Sequence, residues 1–101
     1  MGFLSFLFGN RDKKIQTYLN RGAIILDVRT LEEYRNGHIN GSKHIPLDEL
    51  NRRVEELKRI DKPLIVCCAS GVRSAKAAKF LTLNNLDAIN GGGWKSLERK
   101  L

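Results

Sequence analysis

The sequence has few cysteine and histidine residues, which form the disulfides and metal sites that stabilise many small proteins. Two of its 101 residues are cysteines, and they are adjacent, which excludes the disulfide framework of small secreted domains. Two histidines and no separated cysteine pairs leave no pattern for a structural zinc or other metal site. No apolar run is long enough to cross a bilayer, so stable membrane insertion is excluded as well.

What the chain does contain is typical of one folded domain with a basic surface. Apolar residues make up 42% and charged residues 29%, which excludes global disorder. The 18 Lys and Arg residues against 11 Asp and Glu give a net charge of +7. Such an excess attracts anions, although a solvated basic face is an equally ordinary explanation. Aromatic residues are few and no nucleic-acid motif is present, so no nucleic-acid partner is expected.

Residues 1–9 form the most apolar stretch, ahead of a single domain expected over residues 10–101. The stretch has no positive leading region and no cleavage site, and Phe6 stands where myristoylation would need Ser or Thr. It either packs on the domain as an edge element or contacts a membrane or partner, and its length favours packing. With no export signal, a cytoplasmic location and free thiols are expected.

Helical and extended patterns alternate along the chain. The predicted elements are a helix from Asn10 or Asp12 to Gly22, a strand over 23–28, a short helix capped by Thr30 and Glu33 and ended by Gly37, a helix after Pro46 with an apolar stripe at Leu47, Leu50, Val54 and Leu57, a strand over 64–68, a helix from Arg73 to about Leu83, a short strand over 86–89 and a last helix near Trp94. Strands separated by helices are parallel, which predicts a small α/β sandwich with flanking helices. Ligands of such sheets bind beyond the carboxyl ends of the strands.

The turn that follows the strand over residues 64–68 carries the chemistry. Residues 67–74 read CCASGVRS and join a buried strand to a helix. A tight turn of this kind, which Gly71 permits, directs backbone N–H groups inward as an anion-binding nest. The helix dipole and the charge of Arg73 add to it. A thiol at the mouth of this nest is expected to have a lowered pKa.

Strand alternation distinguishes the two cysteines. Successive side chains on a strand point to opposite faces, and the last residue faces the loop that it opens. Cys68 is therefore the predicted nucleophile, and Cys67 the predicted core residue. The alternative for both is an inert buried thiol, which the electropositive setting disfavours.

Several blocks of the chain resemble the rhodanese-like sulfurtransferases. They are Asp27-Val28-Arg29, Glu32-Glu33-Tyr34, Gly37-His38-Ile39, Gly41-Ser42, His44-Ile45-Pro46-Leu47, the loop Cys68-x-x-Gly71-x-Arg73-Ser74, and Gly91-Gly92-Gly93-Trp94. The resemblance implies a three-layer sandwich and an enzyme in which Cys68 carries a persulfide, without a cofactor. It implies a small sulfur donor such as thiosulfate or a persulfide, and a thiol or cyanide acceptor, with a protein sulfur carrier as a further acceptor.

The resemblance also suggests roles for the residues around Cys68. The N–H groups of the loop are expected to bind the transferred sulfur; the residues are Ala69, Ser70, Gly71, Val72 and Arg73. Supporting roles are expected for Asp27, which would satisfy donors at the strand end, and for Ser74 of the loop motif. Arg29 and Glu33 are expected to form an ion pair, and Trp94 to pack beside the site as a wall.

Two other functions remain open. Cysteine-dependent phosphatases and arsenate reductases place five residues between cysteine and arginine, which Cys67 and Arg73 match. Their glycine, however, commonly lies three residues after the cysteine, and Val66 stands where they commonly have histidine. Counted from Cys68, the loop is one residue shorter, which suits a sulfur atom better than a phosphate. A non-catalytic binding module on the same fold is the second alternative, although inactive relatives usually lack the loop cysteine.

Overall fold

A parallel sheet covered by helices on both faces organises the domain. The computed structural model describes the backbone of residues 2–101 and the side chains of residues 10–101. The elements are helix α1 (Gly2–Asn20), strand β1 (Ile24–Asp27), helix α2 (Leu31–Arg35), strand β2 (Lys43–His44), a 3₁₀ helix (Leu47–Arg52), helix α3 (Val54–Ile60), strand β3 (Leu64–Cys68), helix α4 (Val72–Leu83), strand β4 (Ala88–Gly93) and helix α5 (Trp94–Glu98). Within the described residues the strand order is β2-β1-β3-β4, with every neighbouring pair parallel. This confirms the predicted fold class.

Each face of the sheet has its own core. One cluster joins Leu64, Val66 and Cys68 of β3 to α4. The other joins Ile65 and Cys67 to α1 and α5 on the opposite face. All five residues of β3 are buried, as a strand in the interior of a parallel sheet requires. The alternation therefore separates the two cysteines into different layers.

Most predicted elements are present, and two differ in extent for local reasons. The predicted Thr30–Glu33 capping box is confirmed by both of its reciprocal hydrogen bonds. Helix α1 does not begin at Asn10 or Asp12, because the helix is continuous from Gly2. The helix predicted after Pro46 is divided, since Arg53, at φ −119° and ψ 15°, separates the 3₁₀ turn from α3.

Strand pairing explains the remaining differences. Strand β4 continues through Gly93, beyond the predicted end at residue 89, because Gly92 and Gly93 pair with Cys67 and Cys68. The two-residue strand β2 has no periodic signal and is defined by pairing with β1 alone.

The apolar segment 1–9 is described only as backbone within α1. Its side chains lie outside the described part, so both interpretations of that segment stay predictions. No helix among residues 2–101 is long and apolar enough to cross a bilayer.

Candidate active site

Cys68 lies at the carboxyl end of β3, where the loop turns into α4. Its Sγ accepts hydrogen bonds from the N–H of Gly71 at 3.0 Å and the N–H of Ser74 at 3.3 Å. The Ser74 hydroxyl lies 3.3 Å from the same sulfur. Three donors thus converge on the sulfur of Cys68, a residue that is only 1% exposed. This is the nest that the loop sequence predicts.

The two cysteines differ strongly in acidity. Burial opposes ionisation of Cys68, but hydrogen bonds from Ser74 and Gly71 outweigh it and hold its pKa below the ordinary thiol value. Burial, reinforced by the charge of Asp27, raises the pKa of Cys67 to about 12. Of the two cysteines, Cys68 therefore forms the thiolate, which is the nucleophilic form, more readily.

The loop can approach strand β4 only because three glycines meet there. Gly71 has φ +102°, and a Cβ on it would lie 3.3 Å from the Cα of Gly92. A Cβ on Gly93 would lie 2.7 Å from the carbonyl oxygen of Ala69. Side chains at these positions would push the loop off the sheet edge. The glycines of β4 therefore hold the nest in its tight shape.

Asn90 of β4 is the residue that sequence reasoning missed. Its Nδ2 donates to the carbonyl oxygen of Gly71 at 3.1 Å, and its Oδ1 accepts the N–H of Gly92 at 2.9 Å. The same Oδ1 accepts from the Ser74 hydroxyl at 2.7 Å. One amide thus ties the strand to both ends of the nest. The only signal in the sequence is a polar residue directly before three glycines.

The ion pairs near the loop differ from the prediction that Arg29 pairs with Glu33. The Arg29 guanidinium pairs instead with Asp27, with Nη2 and Oδ2 2.8 Å apart and both side chains buried. It reaches Glu33 only at the carbonyl oxygen, 3.3 Å away. Asp27, two residues earlier at the strand end, also accepts the Arg29 N–H, as its predicted role requires.

Glu33 pairs with Arg73 across the site. The two guanidinium nitrogens lie 2.7 and 2.9 Å from the carboxylate oxygens. Hydrogen bonds from Arg73, and then from the Thr30 N–H, lower the pKa of Glu33 to about 2. The carboxylate therefore balances the charge of Arg73 at neutral pH, and the pair links α2 to the start of α4.

The other predicted residues take different positions. Ala69, Ser70 and Val72 are exposed at the rim of the loop, where a substrate can reach their backbone. Trp94 packs against the cluster that contains Cys67, not against Cys68, and its ring lies 4.7 Å under the Arg29 guanidinium. Trp94 therefore packs on the Cys67 side of the sheet, and its expected role as a wall beside the site stays a prediction.

Comparison with known proteins agrees with this arrangement. A family model for the rhodanese-like domain matches residues 12–100. The chain belongs to this family. The rhodanese-like chain is 36% identical over 76 residues to the thiosulfate sulfurtransferase GlpE of Stutzerimonas stutzeri, covering 72% of this chain and 69% of GlpE. It is 40% identical over 83 residues to the uncharacterized protein YqhL of Bacillus subtilis, covering 80% of this chain.

Solved structures give the same assignment. A rhodanese-related protein from Thermoplasma volcanium superposes with a TM-score of 0.72 at 34% identity, covering 85% of each chain. The match to YqhL spans 65% of the length of that protein. The chain therefore spans about two thirds of the length of this relative.

Proposed function

We propose that this rhodanese-like domain is a sulfurtransferase that carries sulfur as a persulfide on Cys68. The observation that carries the proposal is the convergence of the Gly71 N–H, the Ser74 N–H and the Ser74 hydroxyl on one buried sulfur. These donors stabilise negative charge on Sγ, which is present in the attacking thiolate and returns when Cys68 leaves in the second displacement. Homology to the thiosulfate sulfurtransferase GlpE supports the same reaction class.

The reaction consists of two displacements at sulfur. The Cys68 thiolate attacks the outer sulfur of thiosulfate or the sulfane sulfur of a persulfide. The S–S bond of the donor breaks, its electron pair leaves with sulfite or the donor thiolate, and a Cys68–S–S⁻ group forms. An acceptor thiolate or cyanide then attacks the terminal sulfur, which breaks the new bond and regenerates the Cys68 thiolate.

Each residue of the loop is proposed to have a role that follows from its position. The backbone N–H groups of Ala69 to Arg73 are proposed to hold the transferred sulfur. Ala69, Ser70 and Val72 are exposed, so donor and acceptor reach the same opening in turn. Arg73 is proposed to favour anionic donors, although Glu33 offsets part of its charge. A thiol-bearing sulfur carrier protein is a further acceptor of suitable chemistry.

Phosphatase chemistry is the less favoured reaction for this loop. A phosphate cradle needs an arginine free to bind phosphate oxygens, but both terminal nitrogens of Arg73 contact Glu33. The only candidate nucleophile with the phosphatase spacing is Cys67, which is buried with its pKa raised to about 12. We therefore expect negligible hydrolysis of p-nitrophenyl phosphate. Robust hydrolysis that depends on Cys67 would favour the phosphatase function.

Mass spectrometry of the intact protein tests the proposed reaction directly. After incubation with thiosulfate or an alkyl persulfide, the protein should gain one sulfur atom, and cyanide should remove it as thiocyanate. Cys68→Ser is the matched control, because it exchanges one atom at the nucleophile. A wild-type protein that gains no sulfur from either donor would contradict the proposal and favour a non-catalytic binding module.

A further inference from the structure

A groove runs along the outer edge of β4, between the two helical layers. Its volume is about 480 Å³, and α1 and α4 form its walls. Residues of β4 form its floor, namely Ala88, Ile89 and Asn90. The groove ends at Asn90, whose amide bonds the Ser74 hydroxyl and the Gly71 carbonyl of the Cys68 nest. A molecule bound in it would therefore lie beside the active-site loop.

The floor of the groove is an open strand edge. In the sheet order β2-β1-β3-β4, no described strand pairs with the outer side of β4. The Leu64 N–H donates to the carbonyl oxygen of Asp87, so alternate residues from Asp87 onward face β3. Ala88 and Asn90 consequently direct their backbone groups toward the groove. The Ala88 carbonyl receives only a 3.4 Å contact from the Thr82 hydroxyl.

The walls of the groove carry positive charge without a counter-charge. Arg11 and Lys14 project from α1, and Lys79 from α4. The lining contributed by residues 10–101 contains no carboxylate. The salt bridges among residues 10–101 involve none of these three cations. Residues 1–9 contain no Asp or Glu, so they supply no carboxylate either.

We propose that this groove binds an extended acidic peptide segment of a partner protein, added as a further strand to the edge of β4. An open edge supplies the main-chain hydrogen bonds for strand addition, and flanking pockets select side chains. Arg11, Lys14 and Lys79 select for carboxylates. A second copy of this chain is a poorer occupant, because symmetric edge pairing would bring two sets of these cations together.

The test is binding of a labelled hexapeptide of alternating Glu and Val, measured by fluorescence anisotropy. We expect saturable binding that weakens from low to physiological salt. Charge reversal of the groove cations (Arg11→Glu, Lys14→Glu, Lys79→Glu) should weaken binding about tenfold or more. The matched control reverses three exposed cations outside the groove (Arg52→Glu, Arg59→Glu, Lys62→Glu) and should retain affinity within about twofold. Thermal melts confirm that each variant is folded.

Two wild-type measurements test strand addition without relying on those variants. The same hexapeptide, N-methylated at alternate residues, should bind about tenfold more weakly if main-chain bonds hold it. Equal binding of the methylated peptide, equal loss in both triple variants, or absence of saturable binding would overturn the proposal. Self-association in sedimentation without peptide binding would overturn it in favour of a second copy. Cys68→Ser should bind the peptide normally, so this result is independent of sulfur transfer.

Discussion

Removing the Ser74 hydroxyl tests the activation of Cys68 most directly. Ser74 is fully buried, and its Oγ lies 3.3 Å from the sulfur. A hydrogen bond to a charged group contributes about 1.5–3 kcal/mol, which corresponds to about one to two pKa units. The single hydroxyl proton is shared with Asn90 Oδ1 at 2.7 Å, and two backbone donors remain on the sulfur. We therefore expect Ser74→Ala to raise the pKa of Cys68 by about one unit, at the lower end of that range.

The assay is the rate of iodoacetamide alkylation as a function of pH, followed by intact mass. Cys67 does not interfere, because burial raises its pKa to about 12. In the wild type the midpoint of the Cys68 reaction should lie below the ordinary thiol value of about 8.5. In Ser74→Ala it should move upward by about one pH unit, and sulfur transfer at neutral pH should slow accordingly.

Ser42→Ala is a matched control for the loss of a hydroxyl. Ser42 is half-buried, and its hydroxyl bonds the carbonyl oxygen of Ile39 in a different loop. This variant should lose some stability without moving the Cys68 midpoint. An unchanged midpoint in folded Ser74→Ala would refute the reasoning that the nest activates the thiol. A wild-type midpoint at the ordinary thiol value would refute it as well.

Three further variants test separate parts of the site. Cys68→Ser should abolish the persulfide seen by intact mass while Cys67→Ser keeps most of it, because only Cys68 faces the nest; equal loss in folded variants would reverse the assignment. Glu33→Gln should lower the KM for thiosulfate because it leaves the charge of Arg73 unbalanced, and Arg73→Ala should raise that KM. Each variant should lose about 1 kcal/mol or less of stability, because the side chains of the pair are about one-third exposed. Cys67 should make the free energy of unfolding fall as the pH rises above the ordinary thiol pKa toward 12, because the unfolded thiol then loses its proton while the folded one, with a pKa of about 12, keeps it. The slope should be about 1.4 kcal/mol per pH unit. Urea unfolding compared across that pH range should show this slope in the wild type and not in Cys67→Ala.

The elements next to the site could be predicted because their signals are local. The buried run LIVCC, the Thr30–Glu33 capping box and the glycine of the CCASGVRS loop each follow from a few adjacent residues. Strand alternation was also sufficient to place Cys68 at the loop and Cys67 in the opposite core. The sequence blocks in their order were sufficient to identify the rhodanese-like family, which the match over residues 12–100 confirms.

What the tertiary structure decided depends on residues distant in sequence. Arg73 and Glu33 are 40 positions apart, and Ser74 and Asn90 are 16 apart, so no local pattern selects these partners. Arg29 pairs with Asp27 and not with Glu33, because the Asp27 carboxylate lies closer to its guanidinium in space. Glu33 pairs with Arg73 instead. The β4 groove likewise exists only because the sheet ends at β4 between two helical layers. The sequence by itself thus determined which cysteine faces the loop, because strand alternation is local, whereas packing of distant segments determined which side chains hold and surround that loop.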